Sequence, residues 1–163
     1  MRRWNGWGDD ATSMNLGDGA RAMLAQRLGP GRPGQDARRE DLLAGIPASR
    51  LPGHPLIERD ASTRLAMALG ESYADWIKKR FGQLPPVPDG VAFPESGEQV
   101  RELLDLAQAN RWTVIPFAGG TSVAGHLDCP LGERPILSVN LTRMNRLLHL
   151  DKTSQLATFG TGT

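Results

Sequence analysis

One segment of the chain constrains its fold more than any other, because two short apolar runs flank a helix-forming stretch there. Val91-Ala-Phe93 is the first run, Ser96-Gly-Glu-Gln99 has the form of a helix capping box, and Thr113-Val-Ile-Pro-Phe117 follows. A strand, a helix of about fifteen residues and a strand at this spacing make a βαβ unit, so the two strands should run parallel with a right-handed crossover. The segment therefore predicts a parallel sheet.

The helix of this unit has an apolar face, made by Val100, Leu103, Leu104 and Ala107. Two further strands are predicted, at Pro135 to Leu141 and at Gln155 to Phe159, with a connection over residues 142–150 between them. The second half of the chain is thus expected to alternate strands and helices, which is the pattern of an α/β-type lobe.

The first half of the chain has a different character, because glycine and proline interrupt it often. Residues 1–34 are predicted to be a loop-rich arm in which only Gly19 to Leu28 winds into a helix. Further helices are predicted from Asp36 to Gly45, over Ala61 to Leu69, and from the capping box Ser72-Tyr-Ala-Asp75 to the region of Gly82. The apolar face expected for the last of these consists of Tyr73, Trp76, Ile77 and Phe81.

Two proline-rich stretches lack a helix or strand pattern. Residues 49–59 are predicted to form an irregular connection, and Leu84-Pro-Pro-Val-Pro-Asp-Gly90 a stiff, extended linker followed by a turn. The main boundary is expected at this linker, between an amino-terminal arm of helices and loops (residues 1–83) and a second unit (residues 84–163). The predicted fold class is therefore α+β, with an α/β-type lobe in the second unit.

Composition narrows the classes of function. The 163 residues carry 19 Lys and Arg against 18 Asp and Glu, a net charge of +1, so no basic footprint for nucleic acid or an anionic membrane is present. The single cysteine, Cys129, excludes an internal disulfide framework, and with three scattered histidines it argues against a zinc module. No apolar stretch approaches the roughly 18 residues of a membrane span, and none follows Met1-Arg2-Arg3 as in a signal peptide. We expect a cytoplasmic protein without a metal.

Chemistry is most expected in Pro116-Phe-Ala-Gly-Gly-Thr-Ser-Val-Ala-Gly125. This segment follows the second strand of the βαβ unit, and open α/β sheets bind ligands at that end of their strands. The glycine pair allows successive backbone N–H groups to converge on an anion, while Thr121 and Ser122 add hydroxyl donors. A diphosphate would suit these donors. The alternative, a tight turn whose glycines serve only the backbone, stays open at this point.

Two common phosphate-binding motifs do not fit this segment. Gly120-Thr-Ser-Val-Ala-Gly125 has the glycine spacing of a Walker A loop, but His126 and Leu127 follow in place of lysine and serine or threonine. Gly119 and Gly120 are adjacent, which breaks the glycine spacing of a Rossmann fingerprint. A Walker A loop is therefore rejected, and the segment is not a Rossmann fingerprint.

The segment instead resembles the P-x-G-G-G-T-S signature of flavoproteins whose FAD-binding domain is of the p-cresol methylhydroxylase (vanillyl-alcohol oxidase) type. Three other segments resemble this family in the same order along the chain, namely Val91 to Val100, Val139 to Arg146 and Ala157 to Gly162. The amino-terminal Arg3-Trp-Asn-Gly-Trp-Gly-Asp9 is similar to the start of alkylglycerone-phosphate synthases and their bacterial relatives. The resemblance covers most of the chain.

The resemblance implies that the second unit is the first lobe of such an FAD-binding domain. The residues that would bind FAD are Pro116, Phe117, Ala118, Gly119, Gly120, Thr121, Ser122 and Gly125. Ala118 stands where the family usually has glycine, and its Cβ would cost about 1–2 kcal/mol if the residue had a positive φ. Thr121 stands where the covalent branch of the family has the histidine that bonds the flavin. The resemblance therefore implies non-covalent FAD.

The resemblance also implies an activity. Alkylglycerone-phosphate synthases exchange the acyl chain of an acyl-dihydroxyacetone phosphate for a fatty alcohol without net oxidation, so a lipid-type small-molecule substrate and a homodimer are implied for the complete enzyme. An FAD-linked dehydrogenase of D-2-hydroxy acids, such as lactate or glycolate, is the alternative enzyme. A third hypothesis is a truncated chain with no activity of its own, because the family's catalytic residues would follow Thr163. No residue of this chain is assigned a catalytic role.

The remaining chemistry-bearing side chains are interpreted as structural. His126 could reach a cofactor from the end of the glycine segment, but a turn-capping role is favoured. Cys129 is expected to be a small packed side chain, and together with His126 it offers too few ligands for a metal. Trp4 and Trp7 are expected to pack the arm onto the main domain, with a ligand channel as the alternative.

Overall fold

The structure is a computed structural model that describes residues 3–9, 11–12, 14–31 and 34–163. Expectations that fall on Met1, Arg2, Asp10, Ser13, Arg32 and Pro33 lie outside the described residues. The helices are α1 (Asp18–Leu28), α2 (Arg39–Ala44), α3 (Ala61–Ala66), α4 (Tyr73–Arg80) and α5 (Gly97–Ala109), with a 3-10 turn at Leu141–Arg143. The strands are β1 (Ile57–Glu58), β2 (Gly90–Ala92), β3 (Thr113–Phe117), β4 (Ile136–Asn140), β5 (Leu147–Asp151) and β6 (Leu156–Phe159).

Four strands form the main sheet, in the order β1, β2, β4, β3. β2 and β3 each pair in parallel with β4, while β1 pairs antiparallel with β2. The expectation that the strands flanking α5 run parallel is confirmed, with β4 inserted between them. The α+β class with an α/β-type lobe is also confirmed, because helices, a parallel sheet and a separate antiparallel hairpin share the chain.

Strand β4 lies at the centre of the packing. All five of its residues are buried, and successive side chains point to opposite faces of the sheet. Leu137 of β4 belongs to the same buried cluster as Leu103 of α5. Ile136, on the other face, belongs to a second cluster with Ile115 and Phe117 of β3. The sheet is therefore covered on both sides.

The apolar face predicted for α5 is right at its centre and wrong at its edge. Leu103 and Ala107 are buried, and Val100 is half-buried. Leu104 is 47% exposed, and Leu106 packs against the core cluster instead. The reason is that the buried stripe is centred on positions four residues apart, and the residue after Leu103 lies about 100° further round the helix.

Serine side chains begin two of the helices, as predicted. Ser72 and Asp75 form a reciprocal capping box at α4. At α5, the Ser96 Oγ accepts a hydrogen bond from the Gln99 N–H at 3.3 Å. The Gln99 carboxamide oxygen, however, accepts from the N–H of Glu95 at 2.7 Å. The second half of the predicted box is therefore displaced by one residue.

The apolar face predicted for α4 is wrong for two aromatic residues. Tyr73 and Phe81 are 71% and 61% exposed. The buried residues of this helix are Asp75, Trp76 and Lys79. The Lys79 ammonium lies 4.9 Å from the centroid of the Trp76 ring, so a cation–π contact takes the position expected for apolar packing.

Two predicted helix boundaries in the arm are corrected. The helix predicted from Asp36 begins at Arg39, because the Asp36 carboxylate pairs with the Arg80 guanidinium at 2.8 Å and caps nothing. The helix predicted to reach Leu69 ends at Ala66, since the chain beyond it tightens into turns whose N–H groups bond three residues back.

The sequence did not predict the strands β1 and β5, and the predicted helix α1 forms without burying any residue. β1 lies within the stretch predicted to be irregular, and β5 lies within the predicted connection over residues 142–150. β5 and β6 pair as an antiparallel hairpin. The helix α1 forms as predicted, but none of its residues is buried. The hairpin exposes the large apolar side chains Leu147, Leu148, Leu150, Leu156 and Phe159.

The arm and the second unit share one sheet. β1 lies before residue 84, yet it pairs with β2, which lies after it. The division of the chain at residue 84 stays a prediction. Among the described residues, no helix has both the length and the apolar character needed to cross a bilayer.

A buried carboxylate joins these parts at the amino edge of the sheet. Asp89 accepts hydrogen bonds from the Arg50 guanidinium at 2.8 and 2.7 Å and from the Ile136 N–H at 2.8 Å. Burial alone would raise the pKa of Asp89, but these hydrogen bonds outweigh it and the pKa is lowered. The buried Arg64 donates to the carbonyl of the preceding residue, Pro88, at 2.7 Å. The start of β2 is thereby fixed to the arm and to β4.

Replacing Asp89 tests how much its hydrogen bonds contribute to the stability of the fold. We expect Asp89→Asn to lower the free energy of unfolding by about 1.5–3 kcal/mol at neutral pH, because charge-assisted hydrogen bonds are lost. The folded-state pKa is depressed, so the difference should be full above pH ~4 and should shrink as the pH falls below it. Urea unfolding at pH 7 and pH 3 measures both, with the exposed Asp105→Asn as control. A loss of equal size at the two pH values would contradict the assignment.

Candidate functional site

The carboxyl ends of β2, β3 and β4 lie at one edge of the sheet, because these three strands run parallel. The glycine segment leaves β3 at this edge, beside Asn140, the last residue of β4, which pairs with Phe117. Asn140 is buried, and its carboxamide oxygen accepts from the Thr142 N–H at 2.9 Å, which fixes the neighbouring turn. The segment thus lies at the edge where ligands were expected.

The two adjacent glycines of the segment have different roles. Gly120 has a φ of +71°, and a Cβ added there would lie 2.5 Å from the buried ring of Phe117. Gly119 has an ordinary φ, and an added Cβ would meet nothing closer than 3.7 Å. Gly125 has a φ of +80°. Glycine is therefore required at position 120 for two independent reasons, the backbone conformation and the close ring.

Ala118 does not carry the strain that its departure from the family pattern suggested. Among the described residues other than glycine, a positive φ occurs at Arg111 and Gln155 alone. The Cβ of Ala118 is therefore accommodated by an ordinary backbone conformation, and the cost of about 1–2 kcal/mol does not arise.

The glycine segment and the turn after β4 enclose a cavity of about 230 Å³, which we call the loop cavity. Seven of the eight residues predicted to bind the cofactor line it: Pro116, Phe117, Ala118, Gly119, Gly120, Thr121 and Ser122. Gly125 is not among the residues that line it. His126, Leu127 and Leu141 complete the wall.

The donors of the loop cavity are neutral. The N–H groups of Gly120, Thr121 and Ser122 have no protein acceptor within the part of the chain that the structure describes. No lysine, arginine, aspartate or glutamate is among the lining residues. Backbone N–H groups that converge without an acceptor form an anion-binding nest. An anion in this cavity would therefore meet backbone N–H groups that have no competing protein acceptor, and it would meet no carboxylate of the lining.

His126 and Cys129 lie in different surroundings, one exposed and the other buried. His126 is exposed, and its Nδ1 lies 3.2 Å from the Oγ of Ser122, so it contacts the glycine segment itself. Cys129 is buried, and burial together with Asp128 raises its pKa to about 12, which suppresses the thiolate. The expectation that Cys129 is a packed side chain is confirmed. The described residues contain no cluster of three or more groups able to hold a metal.

A larger cavity, of about 490 Å³, adjoins the first and shares the Phe117 side chain with it. We call it the arm cavity, because α3, α4 and the amino-terminal arm contribute its walls. Trp4 and Trp76 are in this wall, and the buried indole N–H of Trp76 has no acceptor among the described residues. The cations of the lining are Arg3, Arg39 and Lys79, and none of its residues is acidic.

Sequence reasoning missed one contact of the glycine segment. Gly70 and Glu71, between α3 and α4, lie against the backbone of Ser122. In the sequence, Gly70 follows directly on the helix predicted over Ala61 to Leu69 and looks like no more than the end of that helix. No local pattern connects it with a segment some fifty positions further along the chain.

Comparison with known families identifies the domain. Residues 88–163, which begin just before β2 and include the whole glycine segment, match the family described as an FAD binding domain. This part of the chain is therefore similar to the FAD binding domain family. The expectation of FAD as the cofactor is thereby confirmed.

The chain is similar to parts of longer proteins. It is 35% identical over 108 residues to the alkyldihydroxyacetonephosphate synthase of Trypanosoma brucei brucei, which is 65% of this chain and 18% of that protein. It is 31% identical over 106 residues to the synthase of Dictyostelium discoideum, 65% of this chain and 17% of that one. The D-lactate dehydrogenase [cytochrome] 1 of Saccharomyces cerevisiae is 36% identical over 67 residues, 40% of this chain and 11% of that one. The chain therefore spans less than a fifth of the length of these relatives.

Solved structures support the fold. One structure of alkyldihydroxyacetonephosphate synthase matches 97% of this chain and 34% of its own, with a TM-score of 0.80 at 22% identity. A second matches 97% of this chain and 35% of its own, with a TM-score of 0.76 at 24% identity. The arm and the second unit both follow the architecture of these structures.

The loop cavity fits the diphosphate of FAD. Its lining offers amides without acceptors and the hydroxyl of Thr121, and it has no carboxylate that would repel an anion. The space next to Gly120 is one that a Cβ could not enter without meeting Phe117. The Phe117 ring therefore occupies the side of Gly120 on which a Cβ would stand, and glycine keeps the backbone of the segment close against that ring.

The adjacent glycines offer a matched test of the FAD-binding loop. We expect Gly120→Ala to weaken FAD binding at least tenfold in the full-length protein, because a positive φ for alanine alone costs about 1–2 kcal/mol and the Cβ also meets Phe117. Gly119→Ala should weaken binding less, because its φ is ordinary and its added Cβ meets no protein atom closer than 3.7 Å. Titration followed by flavin fluorescence measures both affinities. Equal losses for the two variants would contradict the loop geometry described above.

Proposed function

We propose that the chain supplies the diphosphate-binding lobe of an FAD-dependent, alkylglycerone-phosphate synthase-like enzyme, which makes an ether-lipid precursor. The observation that carries the proposal is the loop cavity at the carboxyl edge of the sheet, whose lining includes residues with backbone N–H groups that have no protein acceptor in the described chain. Similarity to two alkyldihydroxyacetonephosphate synthases over 65% of the chain favours this class of enzyme.

The proposed roles of the site residues follow from their positions. Gly119, Gly120, Thr121 and Ser122 would donate hydrogen bonds to the diphosphate. Phe117, which is 3% exposed, supports Gly120 from below and so keeps the donors in position. The other proposed cofactor-binding residues are Pro116 and Ala118, which shape the wall, and Gly125, which allows the turn.

The arm cavity supports the proposal of a lipid-type substrate. Its volume of about 490 Å³ is within the range of roughly 300–1,000 Å³ found for small-molecule sites. Apolar side chains of α3 and the aromatic rings would contact a hydrocarbon chain. Arg3, Arg39 and Lys79 would favour an anionic head group, because no acidic residue of the lining opposes them.

The chain's own part in the reaction is binding and orientation. When bound, FAD supplies the electron-accepting ring that the chemistry requires. The glycine segment would hold the diphosphate by neutral donors, and the covered sheet beneath it would keep those donors rigid. No side chain of the 163 residues is proposed to act as a catalytic acid, base or nucleophile.

We propose that FAD is held without a covalent bond, because Thr121 stands in the position of the histidine that bonds the flavin in the covalent branch. Acid precipitation of the flavin-loaded protein should leave a colourless pellet and transfer the flavin to the supernatant. Absorbance and fluorescence of the two fractions measure this. A covalent flavoprotein treated in parallel gives the coloured pellet, and the same result for this protein would refute the proposal.

An FAD-linked dehydrogenase of D-2-hydroxy acids is the second candidate, favoured by the similarity to a D-lactate dehydrogenase over 40% of the chain. We expect the full-length protein to incorporate a fatty alcohol when given an acyl-dihydroxyacetone phosphate. We expect D-lactate and glycolate to leave the flavin absorbance unchanged without oxygen. Bleaching of the flavin by either acid, together with no incorporation of the alcohol, would favour the dehydrogenase instead.

Three further proposals accompany this one. The chain would divide at residue 84 into an arm and a cofactor-binding unit, the complete enzyme would be a homodimer, and the protein would be cytoplasmic. A chain with no activity of its own is the remaining alternative, because the family's catalytic residues follow the part that this chain matches.

A further inference from the structure

The turn between α3 and α4 lies against the glycine segment, at the backbone of Ser122. The N–H of Glu71 donates a hydrogen bond to the carbonyl oxygen of Ser122 at 2.8 Å. A Cβ added to the buried Gly70 would lie 2.1 Å from the same oxygen. Gly70 has no positive φ, so glycine is required there by the close approach of two backbones and not by the turn itself.

The amino-terminal arm contacts the same turn through the backbone carbonyl of Glu71. The indole N–H of Trp7 donates to the Glu71 carbonyl at 3.2 Å. The rings of Trp7 and Trp76 lie 6.3 Å apart at an angle of 74°, an edge-to-face contact. The arm closes on itself around Trp7, since the Arg3 N–H donates to the carbonyl of Gly8 at 3.0 Å. The backbone of Glu71 therefore links the arm to the glycine segment, because its carbonyl accepts from Trp7 and its N–H donates to Ser122.

The direction of the Ser122 carbonyl matters for an anion site. A carbonyl oxygen carries partial negative charge, so an anion-binding nest works only when its carbonyls point away from the ligand. The peptide between Ser122 and Val123 is planar and trans, and its N–H therefore points opposite to its C=O. The hydrogen bond from Glu71 fixes that carbonyl toward the turn, and it holds the Val123 N–H in the opposite direction.

We propose that Gly70 and Glu71, held by Trp7, are positioning residues of the FAD diphosphate site. They keep the Ser122 carbonyl away from the diphosphate and thereby hold the amides of the loop in a binding arrangement. The arm is then a working part of the cofactor site, although none of these three residues lines the loop cavity. This inference rests on the proposed function of the loop.

The first test is Gly70→Ala in the full-length protein. The added Cβ must displace the Ser122 carbonyl, so we expect FAD to bind at least tenfold more weakly. The ³¹P resonances of the bound diphosphate should also shift, because a reoriented peptide changes the donors that surround the phosphorus atoms. Gly19→Ala is the matched control, since its Cβ on exposed α1 meets nothing within 4 Å. It should leave the FAD affinity and the ³¹P spectrum unchanged.

The second variant, Trp7→Phe, distinguishes a positioning role from a general loss of folded structure. It keeps an aromatic ring against Trp76 and removes the hydrogen bond to Glu71. One hydrogen bond contributes about 1 kcal/mol, so we expect the variant to stay folded with an unfolding midpoint only about 2–4 °C lower, and to bind FAD up to about fivefold more weakly. The same ³¹P resonances should shift in the direction seen for Gly70→Ala.

The outcomes separate the inference from the proposed function. If the wild-type protein binds no FAD, the proposed function fails. If it binds FAD and both variants bind equally well, the function stands and the positioning role is wrong. Unfolding of Gly70→Ala together with wild-type affinity and wild-type ³¹P shifts in Trp7→Phe would also overturn the inference, because the contact would then be only structural.

Discussion

The fold depends on the hydrogen bonds of Asp89 at the amino edge of the sheet. Its carboxylate binds the Arg50 guanidinium of the arm and the Ile136 N–H of β4, and its own N–H donates to the Ile136 carbonyl at 2.7 Å. These bonds set where β2 and β4 begin relative to each other. Because a strand rises about 3.3 Å per residue, the register set at this edge determines which residues emerge at the opposite edge. The glycine segment emerges there.

The sequence predicted the elements whose causes are local. The serine caps of α4 and α5 and the βαβ unit were all correct in kind, because neighbouring residues determine them. β1 was missed because Ile57–Glu58 is too short to show a period, and β5 because its alternating stretch, Leu148 to Asp151, is only four residues long and buries no apolar side chain. The start of α2 depended on a partner of Asp36 in α4, which no local pattern reveals.

The features of the candidate site also fall into two groups, those that depend on neighbouring residues and those that depend on distant ones. The glycine pair, its position after β3 and its hydroxyl donors could be inferred from consecutive letters, and the structure brings seven of the eight predicted residues around one cavity. The requirement for glycine at position 120 arises partly from Phe117, three residues earlier, so it is nearly local. The requirement at Gly70 arises from Ser122, and a contact between distant segments has no signature in a single sequence.

The chemistry of the loop explains why such distant support is needed. A Walker A loop holds a phosphate with a lysine and a helix N-terminus, and a full charge tolerates small errors of position because its attraction falls slowly with distance. The loop cavity has neither lysine nor arginine in its lining, and no helix follows it among the described residues up to β4. Its amides must act through dipoles, whose hydrogen bonds weaken steeply once their geometry is lost. On the proposed function, affinity for a diphosphate would therefore have to come from rigidity, which the Phe117 ring provides beneath Gly120 and the Glu71 N–H provides behind Ser122.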